Sequence, residues 1–347
     1  MVLQRHAGGD MATSENLVEE NAALVALLRA IDTKHDTWSS IANRVARNGS
    51  ASTVFAHEID PAAHPLVDED DDAWDDSEPS LFGMSEVPPS TERREELLKA
   101  LDVARHEIVR WREQGLDFVS ILDDRYPNRL RQVVDMPPFL FADGALIQDE
   151  LGVSVVGSRE ATEDSLAFAR DVASMLVAER FAVIAGLASG IDTAAHKQAL
   201  AEHGRTVAFI GTGITRQYPR DNETLQYEIA QKGLVLSQFW PEQGPTKATF
   251  PMRNASMSGY GVATVVVQAH EYSGTRIQAR QAQQHGRPVI LRNTVVADTD
   301  WGRKLAQRPG VYVASSVNEV HDILMHILHL GSELDQAIDR LVNMEPV

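Results

Sequence analysis

The stretch VSVVGSREATEDSLAFARDVASMLVAERFAVIAG, residues 153–186, contains two short apolar runs separated by a segment of helix length. Val153–Val156 and Phe181–Ala185 have the length of strands, and residues 164–179 between them suit a crossover helix. Continuous apolar strands are typical of parallel sheets, because helices cover both faces of such sheets. The stretch therefore predicts a strand-helix-strand unit of a parallel sheet.

The same alternation continues towards residue 291. Further apolar runs occur at Thr206–Ile210, Leu234–Leu236, Ala263–Val267 and Pro288–Leu291, and segments of helix length at 192–203, 222–232 and 275–285. Strands that alternate with helices predict an α/β fold with an extended Rossmann-like, doubly wound, mostly parallel sheet.

The flanking sequence predicts further segments. Leucines at helical intervals in residues 16–30 and a second helix ending near Asn48-Gly49 indicate helices, whereas residues 64–80 carry eight acidic side chains. A solvated spacer is the simpler interpretation of this acidic block, and mimicry of DNA is the alternative. The predicted division is a small helical N-terminal module (1–60), an acidic, disordered linker (61–90), a Rossmann-like domain with a helical lead-in (91–312) and two C-terminal helices (313–347).

Composition limits the function classes. The chain has 347 residues and no cysteine, which excludes disulfides, thiolate zinc sites and cysteine nucleophiles and fits a reducing cytoplasm. No apolar stretch approaches the roughly 20 residues that span a bilayer, and the N-terminus lacks the apolar core of a signal peptide. We therefore expect a cytoplasmic protein without a membrane partner.

The net charge of −18 argues at first against a nucleic-acid partner, because phosphate binding uses clustered Lys and Arg. The distribution of charge changes this conclusion. Residues 157–310 contain 17 basic and 14 acidic side chains, and residues 253–308 contain eight basic and three acidic ones. A cationic segment inside an acidic chain favours an anionic ligand for that segment.

Ligands of parallel α/β sheets bind at the carboxyl ends of the strands, and the loops that follow the predicted strands are rich in Gly, Ser, Thr and Arg. Glycine admits a ligand close to the backbone, and a following helix directs free N–H groups towards it. Arg159, Arg253 and Arg276 lie in three of these loops. Together they predict an anion site, with Phe250, Tyr260, Tyr218 and Phe239 as candidates for base stacking, although a core position suits each of these rings better.

Catalysis is not favoured. Ser189, Asp192 and His196 are close in sequence, but G-x-A-S-G differs from the nucleophile elbow G-x-S-x-G, and Asp192 is expected to cap a helix. Asp192 and His196 alone are too few ligands for a metal. GTGITR, residues 211–216, lacks the third glycine of a dinucleotide fingerprint, and no P-loop occurs. We therefore expect no catalytic residue, metal or cofactor.

Several motifs resemble those of the DprA (Smf) family of DNA-processing proteins. They are VSVVGSREAT, VIAGLASGIDTAAHKQAL, GRTVAFIGTGITRQYPRDNETL, FPMRN and YSGTRIQARQA, and the resemblance runs from about Leu116 to Pro288. It implies an extended Rossmann fold that binds single-stranded DNA without sequence preference, forms a homodimer and loads a RecA-type recombinase during natural transformation, without catalysis.

The resemblance also implies contact residues. DNA contacts of the family correspond to Gly157, Ser158, Arg159, Gly186, Gly190, Arg253, Asn254, Ser273, Gly274 and Thr275. Ser189 stands where several members carry a basic residue, and Lys247 and Arg276 are expected to neutralise phosphates beside Arg159 and Arg253.

Two other functions remain open. The sequence RNASMSG and the stretch after Leu291 depart from the family pattern, which favours a sensor of a nucleotide or nucleotide-derived signal, with phage defence as one setting for it. A phosphoribohydrolase related to the cytokinin-activating enzymes is disfavoured, because Gln278 stands where the Glu of the loop P-G-G-x-G-T-x-x-E is expected.

Overall fold

The structure, a computed structural model, describes residues 14–34, 36–67 and 89–342. Most of the acidic linker predicted at 61–90 lies outside the described residues. The chain divides into two compact units. The first comprises residues up to Tyr126 together with Pro137–Phe139, and the second comprises Pro127–Met136 and the residues from Leu140 onward.

The first unit is mainly helical. Its elements are α1 (Ser14–Arg29), α2 (Trp38–Asn48), α3 (Ala51–Ile59), α4 (Thr91–Glu113) and β1 (Asp117–Ser120). Ser90 caps α4, since its side chain accepts a hydrogen bond from the N–H of Arg93. The helix α4 packs against α1, so it belongs with the N-terminal helices although the sequence suggested a lead-in to the sheet.

The second unit contains the remaining strands and helices. The strands are β2 (Phe139–Gly144), β3 (Gly152–Gly157), β4 (Ala182–Ala185), β5 (Thr206–Phe209), β6 (Leu234–Ser237), β7 (Ala263–Gln268), β8 (Val289–Arg292) and β9 (Val311–Ala314). The helices are α5 (Glu163–Ala178), α6 (Ile191–Ala201), α7 (Glu223–Lys232), α8 (Thr249–Tyr260), α9 (Gly274–Gln284), α10 (Asn293–Asp298), α11 (Asp300–Leu305) and α12 (Val317–Val342).

The sheet has the order β2-β6-β5-β4-β3-β7-β8-β9. Neighbours from β6 to β9 are parallel, and β2 pairs with β6 antiparallel. Strands β3, β4 and β7 share a buried core with α5, α6 and α12, which explains their continuous apolar sequences. This arrangement confirms the predicted α/β, mostly parallel, Rossmann-like fold.

The strand order reverses beside β3. From β3 the chain proceeds outward through β4, β5 and β6, and it then returns to place β7 on the other side of β3. The loops that follow two such adjacent strands run to opposite sides, and a crevice forms between them. Ligands of open α/β sheets usually bind in this crevice. Here those loops follow Gly157 and Gln268.

Two segments differ from expectation. The segment predicted as a long loop after β6 contains α8, which tolerates Pro251 because that residue lies in the first turn, where its missing N–H has no helical partner. The C-terminal segment forms β9 and the single helix α12 instead of two helices. Among the described helices, none is long and apolar enough to cross a membrane.

Candidate nucleic-acid interface

The carboxyl ends of β3 and β7 open into a cavity of about 320 Å³. Its walls include Val156, Gly157, Ser158, Arg159, Glu160, Ala188, Asp192, Phe250, Arg253, Asn254, His270, Ser273, Gly274, Thr275 and Gln278. A second cavity of about 180 Å³ shares Arg159, Ala188, Phe250 and Arg253 with the first and extends to Gly186, Ser189, Gly211, Tyr218 and Pro219. We call the two cavities together the groove, and the first, larger one of this pair the main cavity.

Arg159 is the exposed cation of the groove. Its guanidinium carbon lies 5.4 Å from the centre of the Phe250 ring, and its side chain forms no ion pair with another described residue. The ring of Tyr218, which is 39% exposed, lies 5.7 Å from that of Phe250. A cation beside aromatic rings can hold a phosphate and stack a base at neighbouring positions.

Arg253 has a different environment, since it is only 6% exposed. Its Nη1 donates hydrogen bonds to the carbonyls of Gly186 and of Phe209, the latter at 2.8 Å, and its Nε donates to Asn254 Oδ1 at 2.9 Å. Burial lowers the pKa of the guanidinium to about 10, so Arg253 remains charged at neutral pH. Arg253 therefore joins α8 to the ends of β4 and β5, and only part of it is available to a ligand.

Asp192 organises the loop before α6. Its Oδ2 accepts hydrogen bonds from the N–H of Gly186 at 2.9 Å and of Ala188 at 3.4 Å. Burial raises the pKa of this carboxyl group, and the charge of Arg253 opposes that rise. The expectation that Asp192 caps α6 is wrong, because Gly190 occupies the N-cap and Asp192 lies inside the first turn.

His196 is part of the core. The ring is fully buried, and its Nδ1 lies 2.7 Å from Thr206 Oγ1. Burial lowers the pKa of His196 to about 3, so the ring is neutral at physiological pH. Ser189, in contrast, is exposed on the groove wall. The cluster of Ser, Asp and His in the sequence is thus divided among three separate structural roles.

The glycines of the same loop are required by packing. A Cβ on Gly186 would overlap the Arg253 guanidinium. Gly190 has φ 78° and ψ −123°, and a Cβ there would lie 2.6 Å from the carbonyl oxygen of Arg159 and nearer still to that of Ser158. Because the Gly186 N–H already donates to Asp192, this loop is shaped by its own contacts, whereas the sequence suggested that its glycines admit an anion.

The N-terminal turn of α9, from Ser273 to Gln278, is arranged in the opposite way. Ser273 occupies the N-cap but its side chain makes no capping bond, and its Oγ is buried without a hydrogen-bond partner in the described residues. Gly274 has open space around the position of a Cβ. Gln278 is 3% exposed, and its Nε2 also has no described partner. Unpaired polar groups and the helix terminus together favour an anionic or polar ligand.

Of three further predicted contact residues, one lines the groove and two do not. Ser158 Oγ accepts from the N–H of Glu160 and donates to its carbonyl, which shapes the loop after β3. Lys247 is exposed and is not among the residues that line the groove. Arg276 lines an adjacent surface cavity of about 470 Å³ with Tyr272 and Arg280, and Ser273 lies on the walls of both this cavity and the groove.

Two of the four aromatic candidates, Tyr218 and Phe250, line the groove, whereas Tyr260 and Phe239 are buried. Sequence reasoning did not place Gln278 in the site. A signal was present, because Thr275, Gln278, Ala279 and Ala282 form the buried face of α9 and Gln278 is its long polar member.

One further arrangement resembles a catalytic triad. Ser258 Oγ lies 2.9 Å from His285 Nδ1, and His285 Nε2 lies 3.4 Å from Asp135 Oδ2. Ser258 is only 1% exposed, and its Oγ also donates to the carbonyl of Ala255. A nucleophile buried in this way does not reach a substrate, so these residues connect elements of the second unit.

The fold and the groove define a Rossmann-like α/β protein with a candidate site at the switch point of its sheet, lined by arginine, acidic and aromatic side chains. Residues 117–327 match the family model of DNA recombination-mediator protein A, and the chain belongs to this family. The predicted family and fold are therefore confirmed.

Curated relatives align with about half of this chain. DNA processing protein DprA from Streptococcus pneumoniae is 40% identical over 172 residues, which cover 49% of this chain and 61% of that protein. DprA from Bacillus subtilis is 35% identical over 182 residues, which cover 52% and 61%. The chain thus spans about three fifths of the length of these relatives.

Solved structures agree with the fold. The crystal structure of S. pneumoniae DprA is 32% identical, with a TM-score of 0.58, and the match covers 66% of this chain and 81% of that one. A structure of DprA from Helicobacter pylori, described for its single-stranded DNA binding mode, is 24% identical, with a TM-score of 0.54 and coverage of 60% and 96%. The latter likeness concerns the fold alone.

Proposed function

We propose that this chain binds single-stranded DNA along the groove and presents it, as a homodimer, to a RecA-type recombinase. The observation that carries the proposal is the position of Arg159, an exposed cation without a described ion-pair partner, over the ring of Phe250. Membership of the recombination-mediator family and the cationic segment 253–308 support the same ligand.

In the proposed complex, phosphates contact Arg159 and the N-terminus of α9, and bases stack on Phe250 and Tyr218. Arg253 holds the groove in shape from beneath, while Lys247 and Arg276 attract the strand outside it. Contacts of this kind give binding that falls steeply with salt and depends little on sequence.

The proposal requires binding and no chemical step. Two carboxylates line the groove, Asp192 and the exposed Glu160. Asp192 accepts two backbone hydrogen bonds and the neighbouring His196 is buried beside Thr206, so neither of these two groups is placed to move a proton to or from a ligand.

Fluorescence anisotropy with labelled oligo(dT), at about 50 and about 200 mM salt, tests the proposal. We expect Arg159→Ala to weaken binding about five- to tenfold and to reduce the salt slope by about one, because one charge-assisted phosphate contact is lost. Arg308→Ala is the control, since Arg308 is an exposed arginine of the segment 253–308 and does not line the groove. Equal affinities of wild type and Arg159→Ala at both salt concentrations contradict the proposal.

The partners need separate measurements. Light scattering with and without oligo(dT) measures the homodimer. The rate at which a RecA-type recombinase assembles on a strand, with and without this protein, measures presentation to the recombinase, and an unchanged rate contradicts that part of the proposal.

A free nucleotide is a second candidate ligand. The main cavity, at about 320 Å³, lies at the lower end of the range of small-molecule pockets, roughly 300–1,000 Å³, and this size suits one nucleotide. A thermal shift with a mononucleotide and none with oligo(dT) favours this candidate over the strand.

A further inference from the structure

Gln278 is a buried amide without a partner in a cavity that faces solvent. Its side chain is 3% exposed, its Nε2 is buried, and the amide forms no hydrogen bond with the described part of the chain. Leaving such a group unpaired costs about 1 to 3 kcal/mol, so buried amides normally have partners. A partner that enters the cavity accounts for this position.

The position of Gln278 fits a ligand and not a core contact. It lies one helical turn after Thr275, on the face of α9 that lines the main cavity, where its neighbours on the helix are the small residues Ala279 and Ala282. Ser273 Oγ, which precedes the same helix and lines the same cavity, is also a buried polar atom without a partner among the described residues. Two such atoms on one wall indicate a polar ligand with more than one hydrogen-bonding group.

The chemistry of the amide distinguishes between the parts of a nucleotide. A phosphate offers only acceptors, and the groove already provides Arg159 and the first N–H groups of α9 for them. A primary amide carries a donor and an acceptor side by side, which matches the edge of a nucleobase. Gln278 therefore complements the base more closely than the phosphate.

We propose that Gln278 forms hydrogen bonds with the edge of a nucleobase held in the main cavity, with Ser273 Oγ as a second contact. The proposal rests on the proposed function and adds a base-binding residue to it. Because an amide can turn by half a rotation to exchange its donor and acceptor, Gln278 accepts each of the four bases, and weak sequence preference is retained.

The test compares Gln278→Leu with wild type in the full chain. Leucine has a similar size and removes both the donor and the acceptor, and Gln283→Leu, on the same helix but not on the groove wall, is the matched control. Anisotropy is measured with oligo(dT), oligo(dA) and an abasic strand of equal length. Thermal unfolding without DNA is measured for each variant.

We expect Gln278→Leu to weaken binding of oligo(dT) and oligo(dA) about five- to tenfold, the equivalent of one or two hydrogen bonds, and to leave binding of the abasic strand unchanged. We also expect its unfolding temperature to equal or exceed that of wild type, because an unpaired buried amide is removed. A merely structural role predicts the reverse pattern, with lower stability and little effect on binding.

Three outcomes overturn the inference: unchanged affinity for both base-containing strands, an equal loss for base-containing and abasic strands, which indicates a backbone contact, or a marked loss of stability in Gln278→Leu. Failure of the proposed function gives a different result, because wild type then binds none of the strands.

Discussion

Two glycine-bearing segments face the same groove, the loop from Gly186 to Gly190 and the N-terminal turn of α9, from Ser273 to Gln278. In the first, the polar groups of Gly186 are used internally, since its N–H donates to Asp192 and its carbonyl accepts from Arg253. In the second, Ser273 Oγ and Gln278 Nε2 are buried and unpaired within the described residues. The two glycine-bearing segments thus differ, because the first uses its polar groups within the protein and the second leaves two of them unpaired.

A glycine in a loop beside the groove can serve packing within the protein or leave space for a ligand. At Gly186 and Gly190 the missing Cβ makes room for an arginine and for the backbone of a neighbouring loop. At Gly274 no atom lies within 4 Å of a Cβ, so the space belongs to the groove. At the groove, the unpaired polar atoms of α9 therefore support the proposed site, whereas the glycines at Gly186 and Gly190 are explained by packing.

The largest expected effect separates the two arginines of the groove. We expect Arg253→Met to lower the free energy of unfolding by about 3 to 5 kcal/mol, because the buried carboxylate of Asp192 loses an opposite charge and two carbonyls lose their donor. We expect Arg159→Ala to change it by less than about 0.5 kcal/mol. Urea unfolding measures both values.

The double variant Asp192→Asn with Arg253→Met is the control for the charge. It should regain part of the lost stability, because no unpaired carboxylate remains. If Arg253→Met and Arg159→Ala are equally stable, Arg253 does not have the structural role described above.

The second prediction compares the glycines themselves. We expect Gly190→Ala to cost about 3 kcal/mol of unfolding free energy, because φ 78° with ψ −123° is strained for alanine and the added Cβ overlaps backbone carbonyls. Gly274→Ala should remain within about 0.5 kcal/mol of wild type, since its helical position is open. Equal losses in the two variants, measured by urea unfolding, break the comparison.

The third prediction concerns pH. The pKa of His196 falls from about 6.5 in the unfolded chain to about 3 in the fold. Between these pH values the ring is protonated in the unfolded chain and neutral in the folded chain. Stability conferred by the neutral ring is therefore complete above pH 6.5 and decreases as the pH falls towards 3. Between pH 6.5 and 4.5 the loss is about 2 to 3 kcal/mol.

Urea unfolding of wild type and His196→Gln across this pH range measures the effect. The raised pKa of Asp192 contributes with the opposite sign, since its folded form takes up a proton more readily, but it is present in both proteins. The wild-type curve should fall more steeply than that of the variant. Parallel curves show that His196 does not control acid stability.

The sequence predicted the central sheet well, because apolar runs such as Val153–Val156 and Phe181–Ala185 have no alternative to a buried strand. It did not predict α8, since residues 249–260 lack a clear apolar stripe and contain a proline. The missed helix is a local error, and it does not change the predicted order of the main strands along the chain.

The site was harder to predict than the sheet. Arg253 was expected to neutralise phosphates, but its burial depends on the carbonyls of Gly186 and Phe209, which lie far away in the sequence. The role of Asp192 was missed because its hydrogen bonds point backwards to the loop instead of forward along α6. Gln278 was considered only as the replacement of a catalytic Glu, and its buried, unpaired amide in three dimensions is what distinguishes it as a contact residue.

The pairing of β3 with β7 has a consequence for the time at which the protein acquires its ligand site. Gly157 pairs with Gln268 just after a shift in the register of the two strands, and Gln268 Oε1 accepts a hydrogen bond from the N–H of Thr162, 106 residues away. The groove therefore does not exist until β7 has joined the sheet, so a growing or partly folded chain offers no site. A ligand of the proposed kind would stabilise only the finished fold, and its binding would report that assembly of the sheet is complete.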